Sequence, residues 1–148
     1  WVGFGSDNDV WDNTSIPSTS APRPAIFGFW DDLNPINDDC NADCAGNVYY
    51  HSNNERMVIW FNDVAHWAGY FDNSIYNFQI ILYSTGEVKF NYNTMTGDFS
   101  SATIGMQNSM GNSGLQMSFN TSYAHDNLTT YISKLHRGLG LMKLEILN

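Results

Sequence analysis

The chain holds 148 residues, and fifteen acidic side chains against six Lys and Arg give it a formal charge of −9. That balance repels a phosphate backbone and an anionic membrane surface, which argues against nucleic acid as a partner, and no apolar run approaches the roughly 20 residues of a membrane helix. Aromatic residues make up 15% of the chain and charged ones only 14%, so the surface is polar without being ionic, and the length suits a single domain with its own core.

In chain order, Trp1 to Gly5 is a short strand candidate. A chain that begins at Trp1, with neither Met nor a signal segment, is expected to be a mature or excised piece of a longer precursor, with its first strand missing. Ser6 to Ser20, rich in Asp, Asn, Ser and Thr, is expected to be a long surface loop. In Ala21 to Pro35, two prolines forbid regular structure at the start, Ala25 to Trp30 is almost wholly apolar, and Asp31-Asp32 turns the chain back towards water. This predicts a buried central strand ending in an acidic loop, at the end of the fold where function is expected.

Asn47 to His51 and Arg56 to Asp63 read as a hairpin around Ser52-Asn53-Asn54-Glu55. The second arm, Arg-Met-Val-Ile-Trp-Phe-Asn-Asp, is apolar on both alternations, as expected of a strand covered on both faces. Val64 to Ser74 reads as an irregular aromatic loop. Tyr76 to Ser84 and Glu87 to Tyr92 form the clearest hairpin, joined at Thr85-Gly86, with Val88, Phe90 and Tyr92 alternating against Glu87, Lys89 and Asn91. Ala102 to Gln107, Leu115 to Asn120, Leu128 to Leu135 and Leu139 to Leu147 continue as strands between Gly-, Asn- and Ser-rich turns. No segment sustains a helical apolar period, so the fold expected is all-β, an antiparallel two-sheet β-sandwich of jelly-roll-like form.

Cys40 and Cys44 share one short polar loop. A local disulfide, free thiols and part of a metal site are all compatible with that spacing; the disulfide is favoured and would contribute about 2 kcal/mol on the chain-entropy model. An oxidised pair would place the protein outside the cytoplasm. Asp31, Asp32, Asn34, Asp38 and Asp39, like Asp7, Asp9 and Asp12 earlier, set hard oxygen ligands close in sequence. They suit a weak calcium site, or are ordinary solvated turns. Trp11, Trp67, Tyr70 and Phe71 fall in predicted loops, where they either cap the open end of a sandwich or stack on a sugar. Asn13, Asn120 and Asn127 begin Asn-x-Ser/Thr sequences. Gly111-Asn112-Ser113-Gly114 has a faint look of a nucleophile turn but the composition of a hairpin, and Glu55, Glu87 and Glu145 sit on turns or wet faces, so no catalytic residue is assigned.

The run Ile26 to Pro35, with Val48-Tyr49-Tyr50, Arg56 to Trp60, Tyr76 to Tyr83, Gly86 to Tyr92 and Ala102 to Gly105, resembles a β-sandwich module of secreted multidomain bacterial surface proteins and proteases. It is distantly similar to the NIDO domain of nidogen-type matrix proteins. The resemblance implies a fold and an extracellular setting, and carries no catalytic signature. It implies an opening strand region that is absent here, and the tail 139–148 runs beyond its usual end. That tail, through Met142, Leu144 and Ile146, is expected to complement the missing strand, within its own chain or in the next copy as a filament. The leading expectation is a non-catalytic extracellular module for cell-surface adhesion or assembly, with other copies of itself or neighbouring domains as partners. Alternatives are a carbohydrate-binding module and an accessory domain of a secreted protease or hydrolase.

Overall fold

A computed structural model describes residues 1–5, 9–37, 44–67, 73–134 and 142–147, with 134 and 142–147 described by backbone alone. Two antiparallel sheets pack face to face. The smaller has four strands in the order β1 (Val2–Gly3), β2 (Ala25–Trp30), β8 (Thr103–Gln107), β9 (Gly114–Phe119). The larger runs β11 (Met142–Leu147), β10 (Thr129–Lys134), β7 (Val88–Thr96), β6 (Ile75–Tyr83), β5 (Arg56–His66). Beyond β5, its outer edge is shared by β3 (Leu33–Asn34), opposite Ala65 and His66, and β4 (Asn47–Ser52), opposite Met57 to Asn62. The sandwich expected from the alternation is the architecture observed.

The stretch Ala25–Trp30 is central in the smaller sheet, and all six of its residues are buried. Both of its faces are covered, and a bulge between Phe27 and Trp30 sets how its side chains divide between them. Ile26 and Phe29 enter the main core against residues such as Phe61, Phe78 and Ile80 from the larger sheet, whereas Phe27 and Trp30 stack on each other at 4.9 Å in a second cluster with Ile16, Ala21 and Ala25. Gly28 faces the main core where an added Cβ would lie 2.5 Å from Ile80, and its carbonyl accepts a hydrogen bond from the buried Tyr92 hydroxyl at 2.6 Å. Only a residue without a side chain lets the two sheets approach there.

Three findings refine or correct the sequence expectations. The described part of the Ser6 to Ser20 segment is irregular and largely at the surface, as read, and runs as a strap across the outside of the smaller sheet. Its backbone is held by side chains beneath it: Ile16 N–H donates to Gln116 Oε1 at 2.7 Å, Ser18 N–H to Gln107 Oε1 at 2.8 Å, and Trp30 Nε1–H to the Val10 carbonyl at 2.9 Å. Part of the strap's backbone is thus satisfied by side-chain amides rather than by water alone, that of Gln107 buried and that of Gln116 exposed. Secondly, the strand begun at Arg56 does not stop at Asp63. A bulge with Asp63 at φ 54° carries it on to His66, and Val64 and Ala65 are buried in what composition marked as a loop. Thirdly, β5 is covered on one face only: Ile59 and Phe61 are buried, while Val58 and Trp60 on the outer face are half-buried. The hairpin at Thr85-Gly86 forms as read, with Val88, Phe90 and Tyr92 inward and Lys89 and Asn91 outward.

Candidate functional site

Asp31 and Asp32 link β2 in one sheet to β3 in the other, so the acidic pair lies at one end of the sandwich. The Asp31 carboxylate is pinned. Its Oδ1 accepts the Asp32 N–H at 3.0 Å and lies 3.5 Å from His66 Nε2, and its Oδ2 accepts the Ser101 hydroxyl at 2.5 Å. Burial would raise this carboxyl, but the hydrogen bonds from His66, Ser101 and the Asp32 amide outweigh it and hold the group below its usual range. Asp32 goes the other way, raised mainly by burial. His66 comes from the continuation of β5, and Ser101 from the segment leading into β8, so the cluster ties both sheets together at this end.

A serine, a histidine and an aspartate meet here, but in the wrong order for nucleophilic catalysis. In a catalytic triad the imidazole stands between serine and carboxylate and takes the serine proton. Here the carboxylate stands in the middle: Ser101 donates its proton to Asp31, and His66 Nε2 lies against the other oxygen of the same carboxylate. The arrangement is a polar clamp. The Gly111 to Gly114 segment is a hairpin turn, closed by Asn108 N–H to the Ser113 carbonyl at 2.9 Å and braced by Asn108 Oδ1, which accepts the Asn112 N–H at 3.2 Å.

The structure brings part of the predicted site together. Trp11, 64% exposed, lines a shallow cleft of about 240 Å³ with Trp1, Asp31, Asp32 and Leu33. Trp67, 58% exposed, donates its backbone N–H to the Asp32 carbonyl at 2.7 Å. Both tryptophans therefore flank the Asp31-Asp32 link. Asn34 is buried on β3, opposite Ala65. Tyr70, Phe71, Asp38, Asp39 and Cys40 lie outside the described residues. Among the described residues, no three His, Cys, Asp or Glu side chains are grouped to hold a metal ion. His66 and Ser101 are the partners that sequence reasoning missed; nothing near them in the chain signals Asp31, from which Ser101 lies 70 positions away.

The tail strand β11 adds to the edge of the larger sheet, antiparallel to β10 of the same chain, with Leu144 opposite Ile132 and Ile146 opposite Thr130. It thus lies in the sheet that does not contain β1. At the other edge, all six residues of β4 are exposed, Val48 by 43%, Tyr49 by 50% and Tyr50 by 77%. Val48 and Tyr50 stand opposite Phe61 and Ile59, so they continue the core face of the larger sheet past the cover of the smaller one. Of the sequons, Asn13 is committed to structure: its amide nitrogen donates to the Ser101 carbonyl, Thr103 Oγ1 and Asn120 Oδ1. Asn127 is exposed at φ 60°.

These features define an all-β sandwich whose acidic end is a structural clamp flanked by exposed tryptophans, and whose larger sheet overhangs the smaller. A model of the NIDO-related family matches residues 1–138, and the chain belongs to that family. The match ends before β11. Comparison with curated proteins and with solved structures finds no match in either. No helix among the described residues is long and apolar enough to cross a membrane.

Proposed function

We infer that this domain is a non-catalytic extracellular module that works in cell-surface adhesion or assembly by joining to further copies of itself. The observation that carries the reading is the β4 edge. It offers a free backbone edge among the described residues, beside an uncovered strip of core face at Val48 and Tyr50. Proteins normally blunt such an edge, and one left long and apolar is a template for strand pairing. Family membership supports the extracellular setting and the lack of catalysis, and the Asp31-centred order of the clamp accords with the latter. A disulfide between Cys40 and Cys44 fits the same setting, and Cys44 is not a free thiol. A secreted bacterial surface protein or protease is the parent that the sequence resemblance suggests.

Amide exchange tests the edge directly. As the protein is concentrated, exchange in 47–52 should slow while the turn at Thr85-Gly86 stays unchanged; rates in 47–52 that ignore concentration contradict the reading. Strand donation by β11 is the second route to assembly, and deletion of 139–148 separates the two, since it should leave β4-mediated contacts intact. Calcium belongs to the proposal through Asp32, Asp38 and Asp39 rather than Asp31, whose oxygens are engaged. Millimolar calcium should then raise the melting temperature of the native chain and not that of Asp32→Asn; equal curves with calcium and chelator remove the ion from the account.

Carbohydrate binding at the acidic end is the second reading, favoured by one observation: Trp11 and Trp67 are both more than half exposed beside the same Asp32 backbone.

A further inference from the structure

We propose that the outer face of the larger sheet carries a binding site for a neutral saccharide, separate from the acidic end. The register places Tyr49, Trp60, Gln79, Asn91 and Thr129 directly opposite one another across five successive strands, so these side chains form one row on one face. Their chain neighbours Phe78, Ile80, Phe90 and Tyr92 are buried in the core, which fixes the row as outward. Along it lies a cleft of about 400 Å³, lined by Trp60, Asn77, Gln79, Asn91, Asn93, Asn127 and Thr129 among others. That size falls in the range of small-molecule sites, about 300 to 1,000 Å³.

The lining decides the ligand class. It contains no Asp, Glu, Lys, Arg or His, so no ionised ligand is favoured there, and the chain's formal charge of −9 disfavours an anionic one. Of its five carboxamides Asn77 is engaged in holding Trp60 and Asn91 bonds Gln79 and Thr129, while the amides of Gln79, Asn93 and Asn127 offer donors beside acceptor oxygens, the complement of sugar hydroxyls, each of which both donates and accepts. Trp60 supplies the flat apolar surface on which the C–H face of a sugar ring packs. Its ring is set in advance: Asn77 Nδ2 donates to Asn62 Oδ1 at 3.2 Å and to Asp63 Oδ1 at 2.8 Å, which turns Asn77 Oδ1 towards the Trp60 Nε1–H at 3.0 Å, while Tyr49 packs against the indole with centroids 5.7 Å apart. At the far end, the Thr129 hydroxyl donates to Asn91 Oδ1 at 3.0 Å. The side-chain amides of Gln79, Asn93 and Asn127 donate no hydrogen bond among the described residues, which leaves donors for a ligand. A fixed indole with unengaged amides beside it is what preorganised polar recognition requires.

The test applies the 148-residue chain, made in a host that does not glycosylate because Asn127 begins a sequon at the rim, to an array of neutral, sialylated and sulfated oligosaccharides. A retained oligosaccharide is then titrated while the tryptophan indole N–H resonances are followed, with that of Trp60 assigned from Trp60→Phe. The proposal expects retention of neutral glycans and movement of the Trp60 resonance while those of Trp11 and Trp67 stay still. Gln79→Ala and Asn93→Ala should each weaken binding about fivefold to tenfold with the melting temperature kept. Retention of acidic glycans alone, of none, or of neutral glycans that move Trp11 or Trp67 instead would overturn it.

Discussion

Asp31 does its work by accepting hydrogen bonds, and its behaviour with pH follows. Because the folded carboxyl titrates below its unfolded value, its contribution to stability is full above about pH 4 and is lost as pH falls through the lowered folded value. Asp32, raised by burial, opposes this: its folded state favours the proton, so its burial penalty is relieved on acidification. Asp31→Asn should cost about 1 to 2 kcal/mol in urea unfolding at neutral pH, and the gap from the native chain should close as the acid limb is approached. A gap that stays constant down to the acid limb would mean that the carboxylate charge contributes nothing. The residue itself was legible in the sequence as the first acid after a buried strand. Its role was not, because the groups that define it, His66 and Ser101, arrive from a strand extension and from a segment 70 positions away.

At the scale of elements, a continuous apolar run made Ala25–Trp30 readable because both its faces are covered, and alternation made the Thr85-Gly86 hairpin readable because each arm buries one face. The two-residue strand Leu33–Asn34 was hidden because it offers no period, and the end of β5 because Asn62-Asp63 has the composition of a turn while forming a bulge. The anchoring of the surface segment over the smaller sheet was hidden for a related reason. Its anchors are side chains of other elements, above all the buried Gln107, whose Oε1 accepts from Ser18 N–H and whose Nε2 donates to the carbonyls of Ser18 at 3.1 Å and Pro22 at 2.8 Å. Gln107→Ala would strand those groups, and an expected loss of about 2 to 3 kcal/mol follows from leaving buried polar atoms unpaired. Guanidinium unfolding measures it, and proteolysis within 9–20 should quicken in parallel. A neutral substitution would show that the strap is held by its apolar contacts at Ile16 and Ala21 alone.

For the whole molecule, the unequal widths of the two sheets matter most. The smaller sheet leaves the core face of β4 exposed at one edge of the larger sheet, while β11 forms the opposite edge, so among the described residues the exposed apolar strip lies on the β4 side. With a formal charge of −9, copies repel at low salt, and screening should favour their contact. Sedimentation velocity across protein concentration, at low and at physiological ionic strength, tests this most directly. The account predicts particles heavier than the 16.7 kDa chain, increasing with salt, and a return to 16.7 kDa for the double variant Val48→Lys, Tyr50→Lys with its fold retained. A native chain that sediments at 16.7 kDa under every condition, or a double variant that assembles as well as the native chain, would contradict it.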